Sequence, residues 1–206
     1  MADSIFPFDS QISYEQRKEA MMQEPRLIWL TGLSGSGKST LALRLEHYFF
    51  FKRFKVFILD GDNIRNGLCR DLGFSEGDRK ENLRRVGEVS KLMLDAGLTV
   101  ICAFISPSGE DRMAIKKIVG EQRFIEVYVN CTLQVCEERD VKGLYAKARK
   151  GIIPNFTGVS APYDPPILPD VEVHTAEETV EESMYKIIKL VEPAIRLETL
   201  QAYYCI

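Results

Sequence analysis

Gly32-Leu33-Ser34-Gly35-Ser36-Gly37-Lys38-Ser39-Thr40 decides how the rest of this 206-residue chain is read. Gly32 to Ser39 complete the pattern G-x-x-x-x-G-K-[ST]. Successive backbone N–H groups that wrap a polyphosphate must point inward, with no side chains in the way. Gly32, Gly35 and Gly37 supply the unusual dihedrals and the close approach. Ser34, Ser36 and Thr40 complete the expected lining. Lys38 brings a point charge for the β- and γ-phosphates, and Ser39 a hydroxyl for the Mg²⁺ that accompanies a nucleoside triphosphate. A helix starting here adds its positive end to the same place. A chance match in a chain this long is on the order of 1%.

The flanks agree with the motif. Leu27-Ile28-Trp29-Leu30 is a short apolar run, the mark of a buried parallel strand. Leu41 to Glu46 are mostly helix formers. Further out, strands are expected at Leu27–Thr31, Val56–Asp60, Leu98–Phe104, Phe124–Asn130 and Val171–His174. Helices are expected at Lys38–Phe51, Arg79–Ala96, Asp111–Val119, Leu133–Arg139 and Thr179–Leu197. In Arg79–Ala96 the residues Leu83, Val86, Val89, Met93 and Ala96 form one apolar stripe, and Gly97 stands where a helix stops. Strands alternating with helices predict a three-layer α/β fold: a mainly parallel five-stranded sheet with helices on both faces. Ligands of such sheets sit at the carboxyl ends of the strands.

Residues 1–24 are polar, with a short helical candidate at Tyr14–Met22, and read as an N-terminal arm. Residues 25–206 read as one domain. From about 140 to 168 the alternation stops, and Pro154, Pro162, Pro165, Pro166, Gly151 and Gly158 accumulate. Irregular segments of that length are usually functional or disordered. Arg139, Lys142, Lys147, Arg149 and Lys150 lead into it against a single acid, Asp140. That balance suits a mobile lid over phosphates. It suits a solvated helix face equally well.

A net charge of −3 argues against a general nucleic-acid binder. No apolar run approaches the roughly 20 residues that cross a membrane, and Met1 to Ser10 lack the pattern of a secretory signal. Five cysteines without a C-x-x-C pair are expected to be free thiols in a reducing cytoplasm. Two histidines are too few for a histidine metal cage.

Two more strand ends carry chemistry. The second ends in Leu59-Asp60-Gly61-Asp62-Asn63, which puts carboxylates at the expected cleft. Asp62 suits water on Mg²⁺ or the proton of an attacking hydroxyl, while a helix cap at Ile64 would account for one of the two acids. The third ends in Phe104-Ile105-Ser106-Pro107. Ser106 stands where many phosphate-loop hydrolases carry a metal-holding Asp, which leans toward a small-molecule kinase.

These segments resemble one family, the adenylylsulfate kinases (APS kinases). The resemblance rests on the phosphate loop, Asp60-Gly61-Asp62-Asn63-Ile64-Arg65, Arg70-Asp71-Leu72-Gly73-Phe74-Ser75 and Asp78-Arg79-Lys80-Glu81-Asn82. It continues through Phe104-Ile105-Ser106-Pro107, Glu137 to Tyr145 and Phe156-Thr157-Gly158, spanning roughly residues 26–192. It implies transfer of the γ-phosphate of MgATP to the 3′-hydroxyl of adenosine 5′-phosphosulfate. Lys38, Asp62 and Ser106 would be the catalytic residues, with Ser39 and Asp62 on Mg²⁺. Arg139 would join the loop in holding ATP. The substrate would be held by Asp62, Arg65, Phe74, Arg79, Asn82, Ile105, Ser106, Lys142 and Phe156. Phe74 and Phe156 would sandwich its adenine, a stacking worth about 1–3 kcal/mol per base. Members commonly form homodimers, and some work beside an ATP sulfurylase. The chain departs from the family pattern at Asn66, Cys69, Ser108 and Gly109, all flanking the substrate side. Another small-molecule kinase and a non-catalytic nucleotide-binding regulator are the alternatives.

Overall fold

The computed structural model describes residues 10–197. Five parallel strands stand in the order β2-β3-β1-β4-β5. They are β1 (Leu27–Thr31), β2 (Val56–Asp60), β3 (Thr99–Ala103), β4 (Phe124–Asn130) and β5 (Val171–His174). The expected sheet is therefore present, wholly parallel. Central β1 and its neighbour β3 are buried along their whole length, as parallel strands covered on both faces must be.

One face is covered by α2 (Lys38–Phe51) and α8 (Val180–Ile195). There Ile28 and Leu30 pack with Leu41, Leu45, Phe49, Ile187 and Val191. The other face is covered by α4 (Glu76–Asp95) and α5 (Gly109–Val119). There Leu27 and Trp29 pack with Leu83, Val86, Leu94 and Ile115. The Trp29 ring is stacked on Phe104 at 5.2 Å between centroids. The buried stripe of α4 takes in Leu94 and Gly87, with Val89 and Met93 at its margin. The wider stripe reflects contact with both the sheet and α5.

Caps explain the helix ends that differ from expectation. α4 begins three residues before Arg79, because the Ser75 hydroxyl accepts from the Asp78 amide at 3.1 Å. α5 begins at Gly109, because the Ser108 hydroxyl accepts from the Asp111 amide. Both are ordinary N-caps. α8 stops at Ile195, since Arg196 is extended. Two short helices complete the set around the site: α3 (Gly61–Asn66) and α6 (Leu133–Arg139). A further one, α7 (Leu144–Arg149), lies within the irregular 140–168 segment. It is held by Asp140, whose carboxylate accepts from the Tyr145 and Ala146 amides.

That segment is packed down by its own small core. Tyr145, Ala148 and Phe156 are buried against Cys131 and Cys136, with Leu33 of the phosphate loop beside them. Cys69, Cys102, Cys131 and Cys136 are free, buried thiols; Cys205 lies outside the described residues, as do residues 1–9 and 198–206. No described helix is long and apolar enough to cross a membrane.

The described part of the arm, from Ser10, docks on this same domain. Its helix α1 (Tyr14–Met21) meets the β3 approach at Gly97, where the left-handed backbone (φ +96°) leaves no room for a side chain beside Met21. Gln23 is fully buried at the amino-terminal end of the sheet. Its amide donates to the carbonyls of Gly97 (2.9 Å) and Lys55 (3.0 Å) and accepts from the Lys55 N–H (2.7 Å). Gln23→Ala would strand those backbone groups. We expect it to destabilise the fold by about 1–3 kcal/mol, lowering Tm by about 2–4 °C for each of those kcal/mol. Thermal unfolding measures this; an unchanged Tm would mean that the arm adds nothing.

Candidate active site

The phosphate loop leaves the carboxyl end of β1, the middle strand. Its approach to β4 admits only glycine at position 32: a Cβ there would lie 2.4 Å from the Val129 carbonyl oxygen. At the far end α2 starts from Gly37 with no side-chain cap and no acid in its first turn. The other described α-helices have a side-chain acceptor at the amino end, α7 through Asp140. The α2 amides are thus left open for an anion.

Lys38 is buried, and its ammonium turns back on its own loop. It donates to the Leu33 carbonyl at 2.6 Å and to the Ser36 hydroxyl at 3.4 Å. Burial pulls its pKa down from 10.5 to about 8; Lys142 pushes the same way, and nearby Asp60 and two thiols oppose it. A polyanion in the loop would supply the missing countercharge. On the far side Arg139 braces the loop through Thr175. Its guanidinium donates to the Thr175 carbonyl at 2.5 Å, and the Thr175 hydroxyl donates to the Ser36 carbonyl at 2.7 Å.

The acids of the second strand end divide. Asp60 is the N-cap of α3, accepting from the Asp62 amide at 3.0 Å. It is also the carboxylate beside Ser39, with the hydroxyl 3.4 Å from Oδ2. Asp62 instead pairs with Lys142 from the irregular 140–168 segment, both side chains being largely exposed. Such a pair is screened and worth little, so it opens readily. Ser39 and Asp60 offer hard oxygens that fit Mg²⁺, which takes one or two protein groups plus phosphate oxygens. Among the described residues no cluster of three or more ligating side chains could hold a metal alone.

The surface that carries Phe74 and Phe156 is built around Arg79. Its guanidinium donates to the Phe74 carbonyl (3.0 Å), the Asn155 carbonyl (2.6 Å) and the Thr157 hydroxyl (3.2 Å). One side chain therefore ties together the two loops that carry Phe74 and Phe156. Burial, and then neighbouring Arg65, depress its pKa. Phe74 is two-thirds exposed (66%) and lies under the Arg65 guanidinium at 4.3 Å, leaving a ring free to stack. Phe156 is nearly buried, edge-on to Tyr145 at 5.0 Å. Asn82 is buried, and its Nδ2 has no partner among the described residues. Native structures rarely tolerate such an orphan donor without a ligand.

Ser106 sits below this surface, only 3% exposed. Its hydroxyl accepts from Trp29 Nε1 at 3.0 Å and donates to the Thr31 hydroxyl at 2.9 Å, which in turn donates to the Ile105 carbonyl at 2.8 Å. Its backbone is left-handed at φ +38°, a strain seen at functional turns. Arg112 of α5 holds that turn, donating to the Ser106 and Asp164 carbonyls at 2.8 Å each. Asp60 belongs to the acid pair read at the second strand end, where Asp62 is preferred; Arg112, Tyr145 and Thr175, which contact the Ser106 turn or the phosphate loop, are not singled out by the sequence. Only Asp60, at a strand end, carried a readable signal. Of the family departures, Cys69 lies in the core and Ser108 serves as a cap, so neither needs to reach a ligand.

A phosphate loop at the carboxyl end of the central strand of a wholly parallel five-stranded sheet, running into an uncapped helix, defines the phosphate-loop kinase fold. The adenylylsulphate kinase family profile matches residues 24–174. The adenylyl-sulfate kinase of Staphylococcus epidermidis is 49% identical over 181 residues, covering 88% of this chain and 91% of that one. That of Shewanella pealeana is 55% identical over 177 residues, 86% of each. The Mycobacterium tuberculosis APS kinase, solved in complex with AMPPNP and APS, superposes with a TM-score of 0.79 at 44% identity, covering 82% of this chain and 98% of that one. The chain belongs to the adenylylsulphate kinase family.

Two measurements test the site. A bound phosphate raises the Lys38 pKa above its free value of about 8. AMPPNP affinity should therefore be full below pH 8 and weaken as pH rises through it, by at most about tenfold per unit. Calorimetry in buffers of different ionisation enthalpy should show proton uptake near pH 8, and none would mean that Lys38 does not meet the phosphates. Asn82→Leu removes an unsatisfied buried amide at similar volume. It should leave Tm unchanged or higher while raising KM for the acceptor at least about tenfold. A lower Tm with an unchanged KM would make Asn82 structural.

Proposed function

We propose that this chain is an adenylyl-sulfate kinase that moves the γ-phosphate of ATP to the 3′-hydroxyl of adenosine 5′-phosphosulfate. The observation that carries the reading is Arg79, which joins the Phe74 and Phe156 loops opposite the phosphate loop.

The loop amides and the start of α2 receive the triphosphate, and Arg139 with Thr175 flanks the nucleotide. Lys38 turns from the Leu33 carbonyl onto the β- and γ-phosphates. Ser39 with Asp60 or Asp62 would hold Mg²⁺, which would supply charge neutralisation at those phosphates. The acceptor adenine stacks on Phe74 and Phe156, and Asn82 Nδ2 donates to the acceptor's phosphosulfate or sugar. Arg65 and Arg79 face its phosphosulfate, and Ile105 and Ser106 shape the floor. Lys142 leaves Asp62 for the substrate anion, which frees the Asp62 carboxylate to orient the 3′-hydroxyl and take its proton. In-line transfer then needs positioning and charge stabilisation more than covalent chemistry. A hydroxyl engaged as Ser106's is supports a structural part in the turn, with no phosphoenzyme. The segment 140–168 acts as the lid. We further propose a cytoplasmic homodimer that feeds sulfate activation, working beside an ATP sulfurylase.

An ADP-release assay tests this. Turnover with adenosine 5′-phosphosulfate should exceed that with AMP, shikimate or gluconate; preference for one of those would identify a different small-molecule kinase. ATP binding without any transfer would identify a regulator. Lys38→Ala should lower kcat about 10²–10³-fold.

A further inference from the structure

Nothing in the chemistry of the two ligands requires their sites to communicate, yet in this fold they share a side chain. Tyr145, on α7, is 2% exposed. Its phenol donates to the Ser34 carbonyl of the phosphate loop at 2.9 Å. Its ring edge meets Phe156, the buried wall of the acceptor site, at 5.0 Å. Burial, followed by the thiol of Cys136, pushes its pKa up, so the phenol keeps its proton and stays a donor. A second contact runs in parallel. Leu33, the residue before Ser34, packs against Gly158, where an added Cβ would lie 3.2 Å from Leu33 Cδ2. From the opposite side Arg79 grips Asn155 and Thr157, one residue to either side of Phe156.

The geometry of the Ser34–Gly35 peptide gives this contact a consequence. A trans peptide is planar, so its carbonyl and the following N–H point in opposite directions. When Tyr145 holds the Ser34 carbonyl, it aims the Gly35 N–H the opposite way, away from Tyr145. A phosphate that captures the Gly35 N–H fixes the same plane from the other end. We propose that Tyr145 is a positioning residue that couples the two sites: nucleotide in the loop orders the Ser34 carbonyl, and Tyr145 passes that order to Phe156. The coupling is reciprocal, so the acceptor tightens nucleotide by the same factor. The inference rests on the assignment of Phe156 to the acceptor site.

Tyr145→Phe tests it, because the ring, its packing on Phe156 and the buried volume all remain while one hydrogen bond goes. Affinities for AMPPNP and adenosine 5′-phosphosulfate are measured by calorimetry, each alone and with the other saturating. In the unmodified protein each ligand should tighten the other about tenfold. In Tyr145→Phe that factor should fall about three- to tenfold toward unity, the worth of one hydrogen bond. A purely structural Tyr145 would weaken both ligands alone and leave the factor intact, which would overturn the proposal. Hydrogen exchange supplies a second readout that needs no acceptor. AMPPNP alone should protect the amides of residues 155–161 in the unmodified protein and protect them less in Tyr145→Phe. No protection in the unmodified protein, or equal protection in both, would overturn the coupling. Failure of adenosine 5′-phosphosulfate to bind would count against the substrate assignment, and the exchange result would still decide the linkage.

Discussion

The catalytic end of this molecule depends on how closely the chain passes β4 as it leaves β1. At Gly32 the backbone is so near the Val129 carbonyl that no side chain fits. That approach sets the direction of the loop, the start of α2 and the place where its uncapped amides converge. The constraint is reliable because β1 cannot move. It is the central strand, hydrogen-bonded on both sides and buried from Leu27 to Thr31. Close packing on two faces makes such a strand the stiffest part of the domain. A loop that holds a buried ammonium without a carboxylate partner can then be kept open for its ligand.

Electrostatics at the loop follow from that burial. Lys38 has no carboxylate partner, only a carbonyl and a hydroxyl. A buried ammonium without countercharge is costly, and the cost appears as a depressed pKa. The same environment makes a phosphate dianion welcome. The acids nearby are placed so that they do not cancel Lys38. Asp60 is occupied with capping α3 and facing Ser39, while Asp62 is turned toward Lys142. Strong and weak contacts are thereby sorted. The contacts of Lys38 within the loop are buried or half-buried, and the Asp62–Lys142 pair is exposed.

The surface that carries Phe74 and Phe156 is assembled differently, from loops. The two loops lie far apart in the chain and meet through Arg79, while the Phe156 side also packs into the small core around Tyr145. That core joins the phosphate loop, α6 and the 140–168 segment in one packed unit separate from the two main cores. Its small size gives it few buried contacts, and so a low local opening energy.

The chain order of charges, glycines and apolar runs was enough to determine the α/β class, the five strands and the phosphate loop. Each is a local pattern: period and burial for strands, backbone freedom for the loop. Four strands and the helices at Lys38 and Leu133 were legible to the residue. The helix at Leu144 was not, because its cap comes from Asp140 through a loop and not from an adjacent N-cap. Phe74, Asn82 and Phe156 were legible through resemblance alone, since an isolated Phe or Asn reads as packing. Only the folded chain decided that Asp60 faces Ser39, that the Ser106 hydroxyl belongs to Trp29 and Thr31, and that Tyr145 bridges lid and loop. Those pairings join residues between 21 and 111 positions apart. No local propensity encodes contacts of that range; they exist because parallel crossovers bring every strand's carboxyl end to the same edge of one sheet.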